Sequence, residues 1–276
     1  MKLQNKAQLA RLAITFSIAL MPVTAFAAET GGSNFPDRSM LQLGAFSVFD
    51  SNTTLSASSS TTSLGTNIDF ERDLDGDTVI TTPRIEYYYR FNNRHRLELA
   101  AFQLERKGTR SLTQSITFQD RTFTANTQID SRIKNDIYKV AYAYSFYHVD
   151  QVELAFSAGF NVLDYEAELA STNGGATETA STTAPMPVFG FRMDYAVTPK
   201  LTTRIRTNTF YFDFQDKIRG SLVEFEAGIE YRALRNFALG ASLSRLAIDV
   251  DVKDDKFKGS LADLYRGVQL YGAFFF

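Results

Sequence analysis

The stretch VEFEAGIEYRA, residues 223–233, alternates apolar and polar side chains without interruption. Its odd positions read Val, Phe, Ala, Ile, Tyr and Ala, and its even positions read Glu, Glu, Gly, Glu and Arg. Successive side chains of a β-strand point to opposite faces, whereas a helix repeats every 3.6 residues. The stretch therefore predicts a strand with one apolar and one charged face.

The same period of two recurs along the chain. Apolar residues occupy odd positions in 79–91 and 187–197, and even positions in 138–146 and 152–162. A soluble β-sandwich and a transmembrane β-barrel both use such strands, since each has one apolar and one polar sheet face. Alternation alone leaves these two architectures open.

The connections between the strands favour the barrel. Short polar turns alternate with long segments rich in Ser, Thr, Asn and Asp, as they do when short turns face the periplasm and long loops face outside. The short turns are 92–94, 148–151, 198–200 and 235–236, and the long segments are 50–77, 107–134 and 170–184. This order predicts an all-β fold, a closed antiparallel transmembrane β-barrel with both ends of the chain in the periplasm.

Counting from the turns gives ten strands, and the pattern is compatible with eight to twelve because 65–74 could form a further hairpin arm. Pro83 lacks the backbone N–H that a closed barrel needs, so we expect a bulge there. The predicted strands are 39–49, 78–91, 95–106, 135–147, 151–166, 186–197, 201–213, 219–233, 237–250 and 263–276.

The N-terminus predicts export. A basic start, Lys2 to Arg11, precedes the apolar run 12–26 and a small-residue pattern that ends at Ala27. The apolar run is shorter than the roughly 20 residues of a spanning helix, so it reads as a secretory signal peptide. We expect residues 1–27 to be cleaved and residues 28–276 to form a single outer-membrane β-barrel domain.

Composition excludes several classes of protein. The 276 residues contain no Cys, so disulfides cannot hold the fold together. A net charge of −2, from 29 basic and 31 acidic residues, provides no basic surface for nucleic acid. A mean hydropathy of −0.17, with no long apolar segment after the signal, excludes a helical membrane protein. No motif calls for a cofactor.

Aromatic residues cluster where the short turns meet the strands, which predicts the inner interfacial girdle of a barrel. This girdle comprises Tyr87, Tyr89, Phe91, Tyr144, Phe146, Tyr195, Tyr231 and Phe237. At the chain end, Leu270, Phe274 and the terminal Phe276 share one parity and resemble the signal read by the barrel assembly machinery. Gly272 departs from that pattern. We expect outer-membrane lipid and this machinery as partners.

The charged faces of the strands predict a charge network inside the barrel. A barrel of about ten strands is only slightly wider than one whose interior is filled by side chains. The predicted lumen charges are Arg84, Glu86, Arg90, Arg96, Glu98, Arg192, Asp194, Arg204, Arg206, Glu224, Glu226, Glu230 and Arg232. Two interpretations follow: a salt-bridged plug, which the balance of signs favours, or a narrow polar pore.

Three charges have the opposite, lipid-facing parity: Asp164, Arg245 and Arg266. Each lies about eight to thirteen residues from the periplasmic end of its strand, where a charge on the lipid face costs only about 0–1 kcal/mol. They mark the outer rim of the membrane.

Candidates for chemistry are few. Outer-membrane hydrolases need a general base near the outer rim, but His95 and His148 both lie beside predicted periplasmic turns. The carboxylates of Asp73, Asp75 and Asp77 alternate as Ca²⁺ ligands can, although their glycine is not at the position that an EF-hand requires. We interpret this segment as a solvated turn, with no metal site and no catalytic residue.

Residues 65–106, which include the runs GTNIDFERDL and YRFNNRHRL, resemble uncharacterised outer-membrane β-barrel proteins of Gram-negative bacteria. The resemblance implies the fold and the location, and it carries no activity. Two functional classes remain open: a structural or surface-interaction barrel and a narrow porin-like channel for small solutes or ions. An outer-membrane enzyme is a third and weaker alternative, and the sequence identifies no extracellular ligand.

Overall fold

The computed structural model describes residues 37–59, 65–119, 121–172, 175–214, 218–254 and 257–276. The predicted signal peptide lies outside these residues and stays a prediction. The elements are, in chain order, β1 (Ser39–Ser59), β2 (Ile68–Asp69), α1 (Phe70–Leu74), β3 (Ile80–Arg90), β4 (His95–Ser111), β5 (Ile116–Phe118), β6 (Arg121–Phe123), β7 (Gln128–Val149), β8 (Val152–Ser171), β9 (Thr177–Thr198), β10 (Leu201–Phe214), β11 (Ile218–Leu234), β12 (Phe237–Asp254) and β13 (Phe257–Phe275).

The ten long strands form one closed barrel. Each long strand pairs antiparallel with the next along the chain, and β13 returns to pair with β1 from Met40–Phe275 to Ser59–Phe257. Closure removes every free sheet edge along the paired region. The predicted fold, a closed antiparallel barrel of ten strands, is confirmed.

The alternation decides which face of each strand meets the membrane. Large apolar side chains of the outward parity stay exposed on many strands, among them Phe156, Phe189 and Leu243. Such a continuous apolar surface suits lipid rather than water. The charged positions between them point into the barrel. In the part of the chain that the structure describes, no helix is long and apolar enough to cross a membrane.

The strands reach further outward than the sequence predicts. We expect β1 to end at residue 49, β7 to begin at 135 and β9 to begin at 186, but they extend to Ser59, Gln128 and Thr177. The Ser- and Thr-rich composition indicates loops, yet each of these segments finds a partner strand, and backbone pairing needs no apolar side chain. The predicted long loops are wrong over these residues.

Pro83 does not form a bulge. It pairs in register with Ala45 of β1, whereas the ladder between β3 and β4 ends one residue away, at Arg84 and Phe102. A missing N–H at Pro83 is tolerated because no β4 residue is paired with it. The bulge that bends this wall lies instead on β1, between Val48 and Asp50.

Residues 65–79 do not form a hairpin arm above the membrane. The short β2 pairs with β1 at Thr54 and Leu55, and α1 follows it. Asp69 caps the start of α1 by accepting a hydrogen bond from the Arg72 backbone N–H, and Asp75 ends it in the left-handed region with φ 56°. Ile68, Phe70 and Leu74 are fully buried against the β5–β6 hairpin and inward side chains of the wall. This segment therefore fills the outer mouth of the barrel.

The side chains inside the barrel form successive layers along the barrel axis, from the outer mouth to the predicted periplasmic end. The outer apolar layer consists of the residues that pack around Phe70, and a second apolar layer below it includes Phe46, Leu104 and Leu222. A charged layer follows, and a small apolar cluster around Tyr271 and Phe275 lies near the periplasmic end.

Candidate functional site

The structure places all of the predicted lumen charges inside the barrel. Each lies at an inward position of its strand, and each side chain is buried or half-buried. The strict alternation of the strands is sufficient to place them there. Together with residues that the sequence did not single out, they form two large ion-pair networks and two smaller groups.

The central network consists of Arg84, Glu86, Arg206, Glu224 and Glu226. Arg206 donates hydrogen bonds to Glu86 and to Glu226, each over 2.7 Å. Arg84 lies 2.8 Å from Glu86 and 3.2 Å from Glu224. The five side chains thus form a continuous chain of alternating sign.

This network crosses the lumen. Arg84 and Glu86 lie on β3, Arg206 lies on β10, and Glu224 and Glu226 lie on β11. Around the closed sheet, four strands separate β3 from β10 in either direction, so the two strands stand on opposite walls. The contact between Arg206 and Glu86 is therefore a bridge from wall to wall.

The periplasmic network surrounds Glu153, which has no exposed surface. Glu153 accepts hydrogen bonds from Arg90 over 2.7 and 2.9 Å, from Arg192 over 2.8 Å and from Ser145 over 2.5 Å. The network continues through three further residues. Arg192 lies 3.0 Å from Asp194, and Asp194 lies 2.7 Å from Arg204. Arg204 in turn lies 3.6 Å from Glu230.

Two smaller groups complete the charged layer. Arg96 pairs with Glu98, and Lys139 lies 3.9 Å from Glu98 and donates to Asn208 of β10 over 3.1 Å. At the periplasmic mouth, Arg232 pairs with Asp37 and stacks over the ring of Phe275 at 3.9 Å. The Lys139 contact is a second link across the lumen.

Glu153 and Lys139 belong to these networks but are not among the charges predicted from the sequence. The alternation of β7 and β8 is used there only to place apolar side chains, and the polar positions between them are not considered. Glu153 and Lys139 have the inward parity of their strands, so the same alternation would have identified them. On β11, Glu226 pairs with Arg206, Glu230 pairs with Arg204, and Glu224 pairs with Arg84 of β3.

The two large networks and the Arg96 group hold as many positive as negative side chains. Seven are basic: Arg84, Arg90, Arg96, Lys139, Arg192, Arg204 and Arg206. Seven are acidic: Glu86, Glu98, Glu153, Asp194, Glu224, Glu226 and Glu230. A buried charge costs several kcal/mol unless it is paired, and here the signs cancel.

Little space remains between these side chains. A cavity of about 30 Å³ lies beside Arg84, Glu86 and Arg206, and a second of about 10 Å³ lies beside Glu224 and Leu246. One water molecule needs about 10–15 Å³ of such volume. Each of these two cavities therefore has room for no more than a few water molecules.

One side of the lumen is polar but uncharged. Gln42 of β1, Gln269 of β13 and Ser242 of β12 are buried, and their side-chain polar atoms have no hydrogen-bond partner among the described residues. Ser242 and Gln269 are direct partners in the β12–β13 ladder. Buried polar groups of this kind are normally satisfied by water.

A further buried cluster ties α1 to the wall. Arg106 of β4 pairs with Glu71 of α1, donates to the backbone carbonyl of Asp77 over 2.6 Å and donates to Thr53 over 2.5 Å. Thr53 in turn donates to Asp263 over 2.6 Å. This cluster could not be predicted from the sequence, because Arg106 and Glu71 meet only when residues 65–79 fold inward.

The candidate metal ligands are not brought together. Asp73 accepts hydrogen bonds from Arg72 and from the backbone N–H of Asp69, Asp75 is the C-cap of α1, and Asp77 uses its backbone to contact β4. Burial opposes ionisation of Asp73, but its hydrogen bonds outweigh that effect and lower its pKa. In the described part of the chain, no group of three or more candidate ligands could hold a metal ion.

Comparisons with known proteins bear on the fold. No family model matches the chain, and no curated protein sequence matches it. The chain is similar in structure to the outer membrane protease OmpT from Escherichia coli, with a TM-score of 0.51 and 6% identity over 86% of this chain and 97% of that one. Two weaker similarities are to OprG from Pseudomonas aeruginosa (TM-score 0.42, 11% identity, 84% and 94% covered) and to Ail of Yersinia pestis (TM-score 0.34, 15% identity, 84% and 97% covered). At 6% identity, the similarity to OmpT concerns the barrel fold alone and says nothing of the chemistry.

Proposed function

We propose that this chain is an integral outer-membrane β-barrel protein of a Gram-negative bacterium, with a lumen closed by ion pairs and a structural or surface-interaction role. The observation that carries the proposal is the bridge between Arg206 and Glu86, which joins opposite walls of the barrel over 2.7 Å. A group held between two walls blocks the path of a solute.

The layers on both sides of the charged layer support closure. Toward the outside, the second apolar layer and α1 with its surrounding cluster fill the interior. Toward the periplasm, the Arg232–Asp37 pair and the cluster around Tyr271 narrow the mouth. A hydrated pore needs a continuous polar wall, and two apolar layers interrupt it.

The outer ends of the strands support a role at the surface. β8 and β9 continue beyond the apolar belt as a paired hairpin whose exposed positions include Thr177, Thr179, Ser181 and Thr183. Polar segments that project from a rigid scaffold are where binding surfaces are commonly found. The partner that such a surface would bind is left open.

A narrow channel is the second candidate, and one observation favours it. The unpartnered Gln42, Ser242 and Gln269 line one side of the lumen beside the charged layer. If water satisfies these groups, a thin file of water would run along β12, β13 and β1. This path would conduct small ions without disturbing the bridge between Arg206 and Glu86.

An enzymatic role has less support. His95 begins β4 and His148 precedes the last residue of β7, so both lie at the periplasmic ends of their strands. The ring of His95 faces the membrane-exposed rings of Tyr142 and Tyr144. A histidine at this level acts as part of the aromatic girdle rather than as a base beside the outer mouth.

Electrical recording separates the first two candidates. The purified full chain is inserted into a planar lipid bilayer, and single-channel current is measured under an applied potential. A closed lumen produces no discrete current steps, whereas a water file along β12, β13 and β1 produces small ones.

A further inference from the structure

Two arginines face each other on the outside of the barrel. Arg245 of β12 and Arg266 of β13 are direct partners in the ladder, and both have the outward parity and an exposed side chain. Directly opposed residues of an antiparallel pair have their Cβ atoms about 4.5–5.5 Å apart. Like charges at this spacing repel each other, so the sheet loses stability unless an anion lies between them.

In the part of the chain that the structure describes, one carboxylate forms an ion pair with this arginine pair. Asp50 of β1 is the ladder partner of Arg266, and the two side chains form an ion pair at 2.6 Å. Among the residues that the structure describes, Arg245 forms no ion pair. The row Arg245, Arg266 and Asp50 therefore carries a net positive charge on the outside of the barrel.

The pair lies at the outer boundary of the apolar belt. Below it on the outward face, Leu243 and its ladder partner Val268 come first and Leu270 follows; Leu243 is 61% exposed and Leu270 is 60% exposed, as lipid-facing side chains are. Above it on β12, the next charged outward residue is Asp249. A spanning strand needs about 9–11 residues to cross the membrane, and Arg245 and Arg266 lie near that distance from the periplasmic ends of β12 and β13.

We propose that Arg245 and Arg266 together bind the phosphate group of an anionic membrane lipid in the outer leaflet. A guanidinium forms paired hydrogen bonds with phosphate oxygens, and two opposed guanidinium groups would share one phosphate. The phosphate removes the repulsion between the arginines, and the lipid chains lie against Leu243 and Leu270. The apolar surface directly below the charges favours a lipid over a free phosphate ion.

The probe for this site is phosphatidic acid, which carries a phosphomonoester on two acyl chains. Native mass spectrometry of the full chain in neutral detergent gives the apparent Kd of the first bound phosphatidic acid and of the first bound phosphatidylcholine. Each arginine near a membrane surface contributes about a fivefold gain in affinity for an anionic headgroup, so we expect about a 25-fold preference for phosphatidic acid.

Three variants test the residues. Arg245→Gln and Arg266→Gln should each lower the preference about fivefold. Asp50→Asn should raise it, because it removes the carboxylate that competes for Arg266. The matched control is Arg132→Gln, an outward arginine of β7 that lies 3.2 Å from Glu105 and 3.7 Å from Glu166, and it should leave the preference unchanged.

Four results of these measurements would overturn the proposed lipid site. An unchanged preference in Arg245→Gln and Arg266→Gln, or an equal loss in Arg132→Gln, overturns the proposal. Displacement of the lipid by an equal concentration of inorganic phosphate would show a site for the free ion and would also overturn it. Folding of the glutamine variants is judged by heat-modifiable gel migration. If either variant does not fold, the test rests on Asp50→Asn. A preference of this variant for phosphatidic acid that does not exceed that of the wild-type chain contradicts the site.

Discussion

Arg206 on β10 and Glu86 on β3 form an ion pair at 2.7 Å, although they stand on opposite walls of the barrel. Both side chains are largely buried. Removing one partner of a buried pair costs more than the pair contributes, because the remaining charge has no counterion. Under the proposal of a closed lumen, the same ion pair contributes to the stability of the barrel and to the closure of its lumen.

Arg206→Ala should lower the stability of the folded barrel by about 3–5 kcal/mol if the lumen stays dry, and by much less if water enters. The variant leaves Arg84 as the one described counterion for Glu86, Glu224 and Glu226. The unfolding midpoint in denaturant is the measurement. Adding Glu226→Ala to the variant should restore part of the loss. An unchanged midpoint in the single variant would argue for a hydrated lumen.

Glu153→Gln should be one of the most damaging single changes in the lumen. Glu153 neutralises Arg90 and Arg192 without solvent contact, so the neutral amide leaves Arg90 without a carboxylate among the described ion pairs and Arg192 with Asp194 alone, at a cost of about 3–5 kcal/mol. Glu166→Gln on the same strand is the matched control. Glu166 lies outside at 3.7 Å from Arg132, where an exposed pair contributes about 0–1 kcal/mol. Equal midpoints for the two variants would contradict the periplasmic network.

Arg106→Met should release α1 from the barrel wall. Arg106 holds Glu71 and the backbone carbonyl of Asp77, so its loss should speed amide hydrogen exchange in residues 66–79 while the rest of the barrel stays protected. Lys107→Met is the control, because Lys107 is exposed and pairs only with Glu105 in the described contacts. Exchange that is unchanged in both variants would mean that apolar packing alone holds the segment.

We expect the C-terminal residue, Phe276, to act in the assembly of the barrel into the membrane. Leu270, Phe274 and Phe276 share the lipid-facing parity, and the deletion of Phe276 should lower the yield of membrane-inserted protein while export continues. Phe91→Ala is the control, since Phe91 is 55% exposed and Phe276 is 53% exposed, both at periplasmic strand ends. If both changes reduce insertion equally, the effect comes from lost lipid contact rather than from an assembly signal.

Much of this fold could be predicted because strand alternation is a local property. The parity of β3 and β11 is sufficient to place Glu86 and Glu226 inside, and the short turns fix the pairing of neighbours. The contact between Arg206 and Glu86 is not local. It depends on the tilt and stagger of ten strands, which set the height at which opposite walls meet.

The inward folding of α1 at the outer mouth could not be predicted from the sequence, for a different reason. The run that begins at Ile68 has the composition of a polar loop, and its large apolar residues Ile68, Phe70 and Leu74 alone indicate a segment that needs burial. Whether such a segment folds into the barrel or projects above it depends on the space inside. Arg106 provides the contact that decides it, from a position that the sequence places at the end of a strand.

Single-channel recording in a planar bilayer tests the closed lumen most directly. The wild-type chain and Arg206→Ala are inserted separately and their currents compared at the same salt concentration and potential. A lumen closed by the bridge between Arg206 and Glu86 predicts no discrete current steps from the wild-type chain. Reproducible steps from the wild-type chain, with a reversal potential that Arg206→Ala shifts while the unfolding midpoint stays unchanged, would contradict the closed lumen and establish a channel.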